Sequence, residues 1–228
     1  VLPEDIKTTG WPKVEAQARQ CGIEYDNWQR QLGRCILGKT GDGLYAAGIG
    51  GVVVSICRQV GKTFLIGTMI VMLCILNDHP LKVLWTAHRT RTSDETFKFM
   101  CALVRRKAIS RFVDGEPRRA NGQQEIVFVN GSRIMFGARE NGFGRGFDSV
   151  DVEVFDEAQI LTERALDDMI PATNAARNPL IIYMGTPPKP SDPSEVFSTR
   201  RDEALKGDGS DMLYVEFSAL WAGADRPR

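Results

Sequence analysis

The apolar positions of this chain fall into two rhythms. Short, nearly unbroken apolar runs stand at Gly51–Ile56, Lys82–Ala87, Val150–Phe155, Leu180–Met184 and Met212–Phe217. Runs of that length, bounded by Gly, Asp or Pro, predict strands buried on both faces. Between them lie stretches with helical character, near Val14–Gln20 and over Thr63–Leu76, Ser93–Lys107, Thr162–Thr173 and Glu195–Lys206. The third of these opens with Thr92-x-x-Glu95, a capping-box pattern. Glu125–Val129 and Arg133–Gly137 flank Asn130-Gly131, a strong hairpin signal. Strands separated by helices predict an α/β fold with a mainly parallel sheet and helices on both faces. In such a sheet ligands bind at the carboxyl ends of the strands.

Two segments strain the pattern. Thr63–Leu76 is apolar on almost every side, which fits either a membrane span or a helix at the centre of a domain. It falls short of the ~20 residues a bilayer requires, and Gly67 and Thr68 interrupt it, so the buried helix is expected. Glu153 sits inside a strand that should be buried on both faces. Either one face is open there or the carboxylate has a cationic partner.

Composition narrows the class further. With 228 residues, 43% hydrophobic and 25% charged, the chain suits one well-buried domain. The expected division is a helical extension over 1–27, the α/β domain over 28–217, and a tail or linker over 218–228. Cys21, Cys35, Cys57, Cys74 and Cys101 show no metal-binding spacing and read as reduced cytosolic thiols. Neither a signal peptide nor a transmembrane segment is visible. The 29 basic and 29 acidic residues balance, so the whole chain lacks the footprint of a sequence-independent DNA binder.

Chemistry concentrates at three strand ends. After Gly51–Ile56 comes Cys57-Arg58-Gln59-Val60-Gly61-Lys62-Thr63 and then the apolar helix. A buried strand, a turn with Gly-Lys-Thr and a helix form a phosphate cradle: loop amides and the helix dipole face the anion. Lys62 supplies a point charge to the β/γ-phosphates, and Thr63 a hydroxyl for Mg²⁺. The usual pattern has glycine where Ile56 stands, so this turn must close with residues 57–60 instead. Taken alone, Gly-Lys-Thr also fits an ordinary surface turn. Val154-Phe155-Asp156-Glu157 ends a second strand in adjacent carboxylates, fit for a metal shell (Asp156) and for activating water (Glu157). Gly185-Thr186-Pro187-Pro188 ends a third; Thr186 either senses a γ-phosphate or merely terminates the strand.

Arg58-Gln59-Val60-Gly61-Lys62-Thr63, Asp156-Glu157-Ala158 and Gly185-Thr186-Pro187, in that order, resemble the ATPase part of the large terminase subunit of tailed bacteriophages. The resemblance runs from about Trp28 to Phe217. It implies a P-loop NTPase of the RecA-like (ASCE) type, with ATP and Mg²⁺ as ligands. The loop residues Cys57, Arg58, Gln59, Val60, Gly61, Lys62 and Thr63 would hold nucleotide, and Thr63 and Asp156 the metal. Glu157 would be the base, Arg58 the stabiliser of transition-state charge, and Thr186 the coupling residue. Trp28-Gln29 resembles the family's adenine-reading motif, since a glutamine amide matches the donor and acceptor of adenine.

The resemblance also implies an arginine donated to a neighbouring subunit from the segment before Asp156, with Arg145 preferred to Arg139. The implied function is translocation of double-stranded viral DNA into a procapsid by a homo-oligomeric ring. Its partners would be the portal and the small terminase subunit, in the host cytoplasm and away from any membrane. A nuclease domain usually follows in the family and would lie outside these residues. Arg105-Arg106-Lys107, Arg111 and Arg118-Arg119 form a basic cluster suited to DNA phosphates or to a solvated face. Two alternatives stay open: a helicase-type ATPase, and a nucleotide-gated assembly module with poor turnover.

Overall fold

The computed structural model describes residues 1–217 except 49, 121–122, 145, 190–191 and 208–210. The expected Arg145 and the tail over 218–228 therefore lie outside the described residues. In chain order the elements are β1 (Thr8–Thr9), α1 (Trp11–Gln20), α2 (Asn27–Ile36), β2 (Gly38–Lys39), β3 (Val52–Ile56), α3 (Lys62–Leu76), β4 (Lys82–Ala87), α4 (Thr90–Val104) and α5 (Lys107–Ser110). They continue through β5 (Gln124–Val127), β6 (Arg133–Ala138), β7 (Val152–Asp156), α6 (Glu163–Met169), β8 (Leu180–Gly185), α7 (Glu195–Lys206) and β9 (Leu213–Phe217).

One seven-stranded sheet organises the molecule, in the order β5-β6-β4-β7-β8-β3-β9. All neighbours are parallel except the hairpin partners β5 and β6. The alternation of each strand splits the apolar residues into two cores. On one face Val52, Val54, Val83, Trp85, Val154 and Ile182 pack under α1 to α5. On the other, Val53, Leu84, Phe155, Ile181 and Tyr183 pack under α6 and α7. The fold is thus a mainly parallel α/β sheet with helices on both faces.

α3 is buried on nearly all sides, between the sheet and α1, α2 and α4. No described helix is long and apolar enough to cross a membrane. α1 packs on α3 within the main core, and its Trp11 ring lies against Gly33 of α2, where a Cβ would come within 2.1 Å.

Three expectations need correction. α4 begins at Thr90 rather than Ser93, and Thr92 and Glu95 do not cap it. Instead Glu140 accepts hydrogen bonds from the Thr90 amide (2.7 Å) and hydroxyl (2.8 Å), so a carboxylate from a distant turn holds the helix start. The helix expected over 162–173 is α-helical only to Met169 and tightens to a 3-10 turn at Ile170–Thr173, where Pro171 cannot donate to an α-helical ladder. Of the two readings of Glu153 the open face fails, while a cation, Arg139, does act on it by its charge without a hydrogen bond. Glu153 is fully buried, and neither carboxylate oxygen has a hydrogen-bond partner among the described residues.

Candidate active site

The strand order puts one strand, β8, between β3 and β7. Register then levels their ends, because Ser55 pairs with Gly185 and Asp156 with Met184. The loop after β3, the Asp156-Glu157 pair after β7 and Thr186 after β8 consequently meet at one edge. Arg58, Gln59, Lys62, Thr63, Asp156, Glu157 and Thr186 line a single cavity of about 540 Å³.

Residues 57–60 are exposed, and the loop closes through left-handed backbone at Gln59 (φ 61°) and Gly61 (φ 97°). Gly61 tolerates that conformation at no steric cost, and it leaves the start of α3 without a side-chain cap. The amides at the N-terminus of a fifteen-residue helix therefore remain as anion donors. Lys62 Nζ donates to the carbonyls of Ile56 (2.5 Å) and Cys57 (2.7 Å), curling over its own loop. Burial lowers its pKa, while the nearby Asp156 charge opposes that shift. Gln29, buried in α2, spends its amide on the local structure. Its Oε1 accepts from Asp26 N (2.9 Å) in the α2 capping box, and its Nε2 donates to Gly61 O (3.3 Å). It thus braces the loop after β3. Trp28 beside it stands edge-on to Phe217 at 5.9 Å.

At the end of β7 the chain turns sharply, with Glu157 left-handed at φ 56°. Asp156 Oδ1 accepts from the Glu157 amide (2.9 Å). Burial pushes the Asp156 carboxyl up to about 6, against the pull of that amide and of Arg139. Glu157 Oε2 is buried and has no hydrogen-bond partner among the described residues. A carboxylate with an unpartnered buried oxygen, beside a lysine, a threonine hydroxyl and the amides of a helix start, is a donor and acceptor set suited to a phosphate–Mg²⁺ ligand.

No family model and no curated protein matches the sequence. Solved structures do match. The large terminase of bacteriophage HK97 aligns over 95% of this chain with a TM-score of 0.75 at 17% identity, and the chain spans 45% of that protein's length. The large terminase ATPase domain of Thermus phage P74-26 aligns over 75% of this chain and 68% of its own, at TM-score 0.58 and 15% identity. The chain has the fold of a large-terminase ATPase domain. A third match is the large terminase of another thermophilic bacteriophage, solved in complex with ADP, covering 74% of this chain and 40% of that one at TM-score 0.55 and 16% identity.

Within this terminase fold the cavity includes residues that the sequence did not assign to the site. Thr92, Glu95, Thr96 and Phe99 of α4 form one wall. Their helix begins straight after β4, so the strand order alone brings its first turns to the site. Gln159 is the other omission: it is buried, and its Oε1 accepts from Thr186 N (3.2 Å), tying the acidic turn to the tip of β8. Its position two residues beyond Glu157 was the available signal. Arg139 turns inward, toward the ends of β4 and β7, rather than outward.

Proposed function

We propose that this chain hydrolyses ATP with Mg²⁺ and couples the reaction to movement of double-stranded DNA, as the ATPase part of a phage packaging motor. The observation that carries the reading is the shared cavity: the Lys62 loop and the Asp156-Glu157 pair open on the same space, one strand apart. The fold likeness supports it, as does the ADP complex of the thermophilic phage terminase.

In this reading Lys62 leaves the loop carbonyls for the β/γ-phosphates, and the amides at the start of α3 hold the same anion. Thr63 and Asp156 would hold Mg²⁺, which neutralises charge on the phosphate oxygens. Glu157, with an unsatisfied buried oxygen, orients the attacking water and takes its proton. Arg58, exposed at the mouth, stabilises charge on the transferred phosphoryl group. Thr186, linked through Gln159 to the acidic turn, feels the loss of γ-phosphate. The partners would be portal, small terminase subunit and further copies of this chain in a ring.

Glu157→Gln should bind ATP normally and lose steady-state turnover by about 10²–10⁴-fold, read as phosphate release beside binding of a fluorescent nucleotide. Undiminished release removes Glu157 from its role. Lys62→Ala with unaltered ATP affinity sinks the whole reading.

A further inference from the structure

We infer that Arg139 is a positioning residue of its own subunit's site, fixing the peptide that aims Asp156 and Glu157. The inference rests on the ATPase reading above and deepens it. Arg139 follows β6 and opens the short 3-10 turn Arg139–Asn141. Its guanidinium points back across the sheet ends. Nη1 donates to Thr86 O and to Thr86 Oγ1, both at 3.0 Å, and Nη2 donates to Asp156 O at 2.8 Å. The guanidinium carbon stands 6.0 Å from the centre of the Phe155 ring. One planar group therefore ties the ends of β4 and β7 together, which only a forked donor can do.

The bond to Asp156 O matters because of what lies across the same peptide. The N–H of that peptide belongs to Glu157 and donates to Asp156 Oδ1. Both polar ends of the Asp156–Glu157 peptide are thus held, its carbonyl by Arg139 and its N–H by the carboxylate. That peptide leads into Glu157 in the left-handed region, a conformation a non-glycine residue keeps only when its surroundings impose it. Without Arg139 the peptide is free to rotate, and both carboxylates turn with it. The next residue, Glu140, holds the start of α4, whose Thr92, Glu95 and Thr96 wall the cavity. The β6–β7 turn is therefore latched to the same site at two points. This geometry commits Arg139 to its own subunit and leaves it no reach toward another.

The test uses the full chain with Arg139→Ala and Arg139→Lys, each checked by thermal melting. The lysine keeps the charge, but one ammonium cannot span Thr86 and Asp156, so it carries the test if the alanine variant does not fold. We expect kcat to fall about 10- to 100-fold, the scale of losing an orienting partner behind a metal ligand. KM for ATP at saturating Mg²⁺ should stay unchanged. The Mg²⁺ concentration for half-maximal binding of a nonhydrolysable ATP analogue should rise, a shift that general loosening of the fold does not produce. Mixing Arg139→Ala with Lys62→Ala chains should restore nothing. Unchanged turnover and Mg²⁺ requirement overturn the inference, and so does recovery in the mixture, which would mean that Arg139 serves a neighbouring copy. A wild-type chain that neither binds nor hydrolyses ATP overturns the ATPase reading, and the inference with it.

Discussion

Glu153 is the most exacting single residue of the sheet. Its side chain lies among Leu84, Ile181 and Phe155 on the face covered by α6 and α7, as the strand register dictates. Burial raises its pKa from 4.5 to about 8, only partly opposed by the charge of Arg139. The folded protein therefore holds a proton on Glu153 that the unfolded chain releases above about pH 4.5. Stability from this group is complete below that value and is lost as pH rises toward 8, by up to ~1.4 kcal/mol per pH unit. Asp156, raised to about 6, acts in the same direction over a lower window. Urea midpoints should accordingly fall between pH 6.5 and pH 8, and Glu153→Gln should flatten that slope. A wild-type midpoint that rises across this interval contradicts a protonated Glu153.

Among the elements, the strands were the most legible. β4 matches the apolar run Lys82–Ala87 residue for residue, and α7 matches Glu195–Lys206, because burial on both faces or a continuous polar surface leaves little choice of period. Asn130-Gly131 marked the β5–β6 hairpin for a local reason, the turn geometry itself. Long-range partners were the illegible part. Nothing near Thr90 in the sequence announces that Glu140, fifty residues on, replaces its cap. Gln29 likewise has partners that its neighbours in sequence do not all announce, Asp26 and the distant Gly61. The turn after β6 depends on Gly137, where an added Cβ would come within 2.1 Å of the Phe143 ring. Gly137→Ala should displace that ring and cost about 1–3 kcal/mol, the usual penalty for overpacking. Gly142→Ala supplies the contrast. No atom lies within 4 Å of its Cβ position, so any loss there reflects only its φ of 73°. Equal denaturation midpoints for wild type and Gly137→Ala would show that the ring has room to move.

For the molecule as a whole, the charge inventory of the cavity sets an expectation about assembly. Among the described lining residues, Arg58 and Lys62 are the only cations, and Arg139 is committed behind the acidic turn. A ring in which a second copy completes the site should show turnover per chain rising with protein concentration. Steady-state phosphate release measured over a hundredfold range of concentration, beside sedimentation of the same samples, checks this. Flat, low activity throughout would favour a nucleotide-gated module over a motor.

α3 bears on how any such machine could move. The helix that opens at the cavity is enclosed by the sheet and three other helices, with no polar face on which to slide. Displacing it would mean repacking the interior around it, and close-packed interiors switch between discrete arrangements rather than yield gradually. On the ATPase reading, movement is expected instead in what borders the cavity outside that helix: the acidic turn, the tip of β8 and the first turns of α4.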